Sequence, residues 1–258
     1  TVFWVGNYSA DAPFATSGTY VYNIGINNTS HQRDDGKGGF VVEQYNGTTY
    51  AGDDITAYDG VTTVWSTVLT ADSHAFYANG ENLNVAGTPS NNVQANASMI
   101  IGAYSSSGYD FVGEVEQLII FGSALSDTDR KLVERYLGST GVGLYSDIPD
   151  LSTQALESLV AHYDGKMGVE SDGGSVVSWT PVDGYGDSLD EMIVRSTQIG
   201  NGAPELIKYG RPGKLIFDDT NVSADGRYLE GTLSNAESKE FTVFWVGNYS
   251  ADAPFATS

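Results

Sequence analysis

Cysteine is absent from the chain, so disulfides, thiolate metal sites and a cysteine nucleophile are all excluded. Basic side chains are scarce. Twelve Lys and Arg stand against thirty-three Asp and Glu for a net charge of −21, and only Arg33 and Lys37 precede Arg130. A surface of that sign repels polyanions, which argues against nucleic-acid partners and anionic membranes and makes divalent cations the natural counterions. No apolar run reaches the roughly 18 residues of a membrane span, so no membrane insertion is expected. With only three histidines, none at metal-ligand spacing, His31, His74 and His162 read as structural or surface residues. Nucleophile elbows, P-loops and dinucleotide fingerprints are missing as well.

What the chain does have is a repeat. Thr1 to Ser17, TVFWVGNYSADAPFATS, returns unchanged at Thr242 to Ser258. The spacing, about 240 residues, is the size of a whole domain. This reads as a window on a periodic protein, opening in one unit and closing in the next. The domain expectation follows: 1–144 is the C-terminal part of one repeat, 145–150 a linker, and 151–258 the N-terminal part of the next.

Thr1 to Val5 is apolar on both faces of a pleat and suits an inner strand covered on both sides. Further strands are expected at Tyr20 to Ile26, Val64 to Leu69, Ser98 to Gly102, Val112 to Phe121, Leu159 to Tyr163, Ser175 to Trp179, Lys214 to Phe217 and Arg227 to Leu229. Asn46-Gly47 and Asn79-Gly80, each between β-rich runs, signal two-residue hairpins. One helix stands out, with Ser126 as cap, Asp129 at the capping-box position and an apolar stripe of Leu132, Val133, Tyr136 and Leu137 ending at Gly138. Ser152 caps a second, short helix to about Leu159. The pattern predicts an all-β sandwich or jelly roll carrying one short capped helix near 126–137.

The order of motifs resembles the laminin-G-like, concanavalin A-like jelly-roll domains. LVAHYDG (Leu159 to Gly165) with VVSWTPVDGYGD (Val176 to Asp187) is similar to the family's opening, and KLIFDDTNVSADGRYLEG (Lys214 to Gly231) to the turn before its central strand, here FTVFWVGN. HAFYANGENLNV (His74 to Val85) resembles its F-Y-V-N-G hairpin. Met99 to Ser139, MIIGAYSSSGYDFVGEVEQLIIFGSALSDTDRKLVERYLGS, resembles its closing signature. The resemblance implies a concanavalin A-like jelly roll and an extracellular or cell-surface setting. It leaves function open, because the fold carries lectins, adhesin repeats and glycosidases alike.

Catalysis of the glycosidase kind needs two carboxylates converging on a cleft. Glu114 and Glu116 are the only two glutamates at i, i+2, and the third carboxylate of the resembling glycosidases is replaced, since Gln117 and Leu118 follow. Hard-cation binding is better supplied. Asp183 and Asp187 flank a Gly-containing turn, and Asp218, Asp219 and Asn221 precede Asp225-Gly226, giving oxygens in two tight loops suited to Ca²⁺. Asp53, Asp54 and Asp59 form a third acidic loop. Sugar stacking would draw on Tyr104, Tyr109, Tyr185 and Trp65. The sequence thus points to a non-catalytic extracellular repeat module, adhesin-like or filament-forming, with Ca²⁺ as cofactor and neighbouring copies as partners through 1–17 and 242–258. A glycan-binding module is the alternative, and a polysaccharide-degrading enzyme the third reading.

Overall fold

β-Branched and aromatic runs dominate the chain, and the structure, a computed structural model, is correspondingly strand-rich. It describes residues 22–24, 30–34, 40–44, 48–51, 61–70, 74–83, 98–101, 113–139, 150–172, 175–181, 192–195, 205–207, 214–217, 228–232 and 242–247. In the first half the strands are β1 (Tyr22–Ile24), β2 (Ser30–Asp34), β3 (Phe40–Gln44), β4 (Thr48–Ala51), β5 (Thr63–Leu69), β6 (His74–Ala78), β7 (Glu81–Asn82), β8 (Ser98–Ile101), β9 (Gly113–Val115) and β10 (Gln117–Phe121). Helices α1 (Asp127–Gly138) and α2 (Thr153–Glu157) follow. The second half contributes β11 (Leu159–Asp164), β12 (Val169–Asp172), β13 (Ser175–Trp179), β14 (Met192–Arg195), β15 (Glu205–Ile207), β16 (Lys214–Phe217), β17 (Tyr228–Thr232) and β18 (Thr242–Gly247).

Among the described residues all the strand pairings are antiparallel. One large sheet runs β1-β8-β17-β14-β13-β15-β16-β9, with β12 on the other side of β13. A second runs β10-β18-β5-β6-β7, and β2-β3-β4 form a small third sheet. Gly122 N–H donates to the Ser158 carbonyl at 2.7 Å and Gly165 N–H to that of Glu116 at 2.8 Å, which sets β11 antiparallel beside β10. Strands from the two halves of the chain therefore share sheets: β17 pairs with β8, β16 with β9, and β18 with both β10 and β5. Thr242–Gly247, the described part of the second copy of the repeated stretch, occupies an interior position in its sheet, as its two-faced apolar pattern requires. The first copy lies outside the described residues.

Sequence expectation and structure differ at Val112 to Phe121. What reads as one strand is two, because the chain leaves the large sheet at Val115 and enters the second at Gln117, turning at Glu116. Both NG signals mark hairpins: Gln44 pairs with Thr48 and Ala78 with Glu81. At the second, φ is positive at both Asn79 (49°) and Gly80 (84°), the conformation of a type I′ turn. Asn79 also ties the turn to β5, its N–H donating to the Val64 carbonyl at 2.7 Å and its side-chain oxygen accepting from Val64 N–H at 2.9 Å.

Helix α1 begins at Ser126, whose Oγ accepts from Asp129 N–H at 3.1 Å. Val133 and Leu137 are buried against Val64, Ile119, Phe121, Leu125, Ala155 and Leu159, with Leu132 and Tyr136 packed at the margin. Each aliphatic side chain so buried contributes roughly 1.5–3 kcal/mol. Asp129 then joins the two helices. It accepts from Ser152 N–H at 3.0 Å and from the Ser152 hydroxyl at 2.9 Å, and Ser152 in turn caps α2 by accepting from Ala155 N–H at 3.1 Å. Burial alone would raise the Asp129 carboxyl, and the hydrogen bonds from Ser126 and Ser152 outweigh it, holding the group below its ordinary value.

Gly80 offers a direct check on the hairpin. A β-carbon there would lie 3.2 Å from Glu134 Oε2 and would sit on a backbone of φ +84°. Gly80→Ala is expected to lower stability by about 1 kcal/mol or more, read as a lower midpoint in a denaturant melt; an unchanged midpoint would contradict this turn geometry.

Candidate functional site

Beneath α1 lies a group of charged side chains that the helix covers. Arg130 is 2% exposed and Glu134 8%, one turn apart on the face that also carries Val133 and Leu137. The Arg130 guanidinium donates to Glu134 Oε1 at 2.5 Å and, through Nε and Nη2, to Asp127 Oδ1 at 3.2 and 2.7 Å. Its carbon stands 3.6 Å from the centre of the Tyr77 ring, a cation–π contact to β6. From β5 the buried Ser66 hydroxyl donates to the same Glu134 oxygen at 2.5 Å. Every charge in the cluster has a partner, the condition for keeping charge in a low-dielectric interior.

The titrations follow from these contacts. Burial works against the Arg130 charge, and Asp127 and Glu134 outweigh it, so the guanidinium is held above its ordinary value. Burial pushes the Glu134 carboxyl up, opposed by Ser66 and Arg130. Lys131 and then Arg130, donating to Asp127, hold that exposed carboxyl below the usual range. A serine hydroxyl bonded to a carboxylate is one element of nucleophilic chemistry. Here Ser66 is 1% exposed and Glu134 is committed to Arg130, so the arrangement clamps α1 to the sheet. Beside it, between α1 and the β6–β7 turn, a groove of about 380 Å³ is lined by Val64, Asn79, Gly80, Lys131, Glu134, Arg135 and Gly138.

A second buried polar group lies on β11, where all six residues are buried. Asp164 accepts from Lys166 N–H at 2.8 Å, its carbonyl accepts from the Trp179 indole at 3.1 Å, and Gln117 Nε2 stands 3.5 Å from its Oδ2. His162 is fully buried and meets the Tyr136 ring edge-on at 6.5 Å. β11 is covered on both sides with His162 and Asp164 inside, so of the two readings of His162, structural or surface, the structure gives the structural one. Burial raises the Asp164 carboxyl above its ordinary value, against the Lys166 N–H and charge.

The sequence-predicted ligands Asp183, Asp187, Asp218, Asp219, Asn221 and Asp225 lie outside the described residues, as do Asp53, Asp54, Asp59, Tyr104, Tyr109 and Tyr185. Among the described residues no three acidic or histidine side chains come together in a metal-holding group. Trp65 is 2% exposed, which removes it from the candidate sugar-stacking surface: its place mid-strand in β5, paired with Ala78, turns it into packing. Glu114 belongs to β9, opposite Ile216, and Glu116 sits at the crossing between sheets, so the two do not share one continuous strand face. Comparison with protein-family models, curated proteins and solved structures finds no significant match to this chain.

The clamp is open to test by substitution. Glu134→Ala leaves Arg130 buried with half its anionic partnership gone and is expected to cost about 3 kcal/mol. The double variant Arg130→Met with Glu134→Ala should lose less than the two singles added together, as interacting residues do. A loss under about 0.5 kcal/mol for Glu134→Ala, typical of exposed pairs, would mean the helix is not held this way.

For Asp164 the sign is set by a folded pKa above the unfolded one. Its favourable contribution is present below the ordinary aspartate range and is lost as pH climbs through the raised value. Asp164→Asn keeps the oxygen that accepts from Lys166, so its melting temperature should gain on that of the unsubstituted protein as pH goes from about 3 to 8. A gap that is flat or shrinks over that range is the contrary result.

Proposed function

We propose that this chain is a non-catalytic repeat module of a long extracellular, adhesin-like or filament-forming protein, built on a concanavalin A-like jelly roll. The observation that carries this reading is the recurrence of Thr1 to Ser17 at Thr242 to Ser258, with Thr242–Gly247 of the second occurrence seated in the interior of a sheet. A strand that begins a sheet's centre and recurs after one domain length is what a chain of like domains needs. Units of this kind join head to tail, and a repeat of the same contact extends without closing.

Three further observations support it. The charged groups under α1 hold the helix, and the glutamates Glu114 and Glu116 are divided between β9 and the crossing to the second sheet. Trp65, a candidate for stacking on sugars, is packed inside, which weakens the glycan-binding reading. Divalent cations, held at Asp183, Asp187, Asp218, Asp219, Asn221 and Asp225, stabilise the module and offset its net charge of −21.

Calcium gives the measurable consequence. Saturation at about 100 times the dissociation constant adds about 2.7 kcal/mol to the folded state. The melting temperature is expected to rise by several degrees between excess chelator and millimolar Ca²⁺, and to do so no longer when Asp218 and Asp219 are both changed to Asn. Coincident melts with and without the ion remove Ca²⁺ from the account. Release of reducing sugar from acidic polysaccharides by the chain would overturn the non-catalytic reading itself.

A further inference from the structure

We propose that the slot between β5 and β10 is a docking site for the opening strand, Thr1 to Gly6, of a second copy of this chain. The slot's walls are specific. Gln117, Leu118, Ile119, Ile120 and Phe121 pair in order with Val246, Trp245, Phe244, Val243 and Thr242, while Thr63 on the other side pairs with Gly247. β10 is buried along its whole length and β5 from Thr63 to Thr67, so the ladder lies in the interior. Any strand that enters must reproduce both the hydrogen-bond register and the two-faced apolar pattern, because a slip of one residue exchanges the faces.

One other stretch of the chain meets that requirement in full. Thr1 to Gly6 is TVFWVG, letter for letter the strand now in the slot, and the identity continues through Ser17. Inside the slot the two copies make the same contacts, so occupancy is decided by tethering alone. A strand in the same chain competes at an effective concentration of order millimolar. Each molecule therefore carries two competent strands for the single slot that the described residues form, and the surplus strand of one molecule fits the slot of another. This is strand addition by a partner of identical sequence, with the main-chain ladder supplying affinity and the alternating side chains specificity. It rests on the repeat that underlies the proposed function, but not on the module being non-catalytic.

The test makes the slot depend on a second molecule. Proline removes an N–H and is not tolerated in the middle of a strand with neighbours on both sides, so Phe3→Pro and Phe244→Pro disable the first and second copies in turn. A full-length chain carrying both substitutions is expected to show no cooperative melt by itself. Mixed with the unsubstituted chain, or with the peptide TVFWVGNYSADAPFATS at about millimolar concentration, it should regain one and sediment as a complex. In parallel, the unsubstituted chain refolded with the same peptide carrying a fluorophore, competing at about millimolar concentration with two tethered copies, should take up label on about a third of its molecules. A peptide with proline at its third position should be taken up at least tenfold less. If neither the unsubstituted chain nor the peptide restores the doubly substituted chain, and no label is incorporated on refolding, the slot does not accept the strand from outside and the proposal fails. Cleavage of a polysaccharide in the same preparation would count against the non-catalytic reading and leave this one standing.

Discussion

The ladder made by β18 is the constraint on which the second sheet depends. β5 and β10 are joined through it, since β18 pairs with Gln117–Phe121 on one side and reaches Thr63 on the other. Remove the strand and two buried strands face a gap about two strand spacings, roughly 10 Å, wide, with unpaired backbone groups on both margins. The apolar core of Val64, Ile119, Phe121, Leu125, Val133 and Leu137 takes members from each side of that join. Packing of α1 is therefore conditional on a strand some hundred residues further along the chain.

The helix shows how a mostly apolar contact is given one orientation. Val133 and Leu137 would pack against many surfaces, for apolar contact is not directional. Arg130 and Glu134 permit one. The guanidinium must lie over Tyr77 while its nitrogens face Asp127 and Glu134, and Ser66 on β5 must meet the same carboxylate. At the start of the helix Asp129 sets its rotation a second time through Ser126 and Ser152. In this arrangement burial supplies the stability and charge supplies the angle.

Much of this was legible where one local rule dominates. Ser126, Asp129 and the stripe to Leu137 announce α1 because capping chemistry and helical periodicity agree, and Asn79-Gly80 announces its turn because few residues accept two positive φ values. β2, SHQRD, could not be read, since it carries no alternating apolar set and owes its existence to pairing with β3. The break at Glu116 was hidden for a related reason: Val112 to Phe121 is strand-like throughout, and only the partners, β16 for one half and β18 for the other, decide where it divides. Arg130 and Glu134 were visible as charges at i, i+4 and fall on the same helical face as Val133 and Leu137. Their burial was not, because Tyr77 and Ser66 come from strands more than fifty positions earlier.

The pairing of Thr63 with Gly247 has a consequence in time. A growing chain makes β5 early and its neighbour β18 at the far end of the described residues, about 180 residues later, a delay on the order of 10 s or more at ordinary rates of synthesis. Throughout that interval β5 and β6, and β10 once it emerges, exist without the strand that joins them, and contacts of such long sequence separation are the slow ones in folding. The earlier of the two TVFWVG stretches, at Thr1 to Gly6, has been made before that wait begins. If the slot accepts either copy, as proposed above, order of emergence offers it the early one first, until the later copy arrives to compete for the same place.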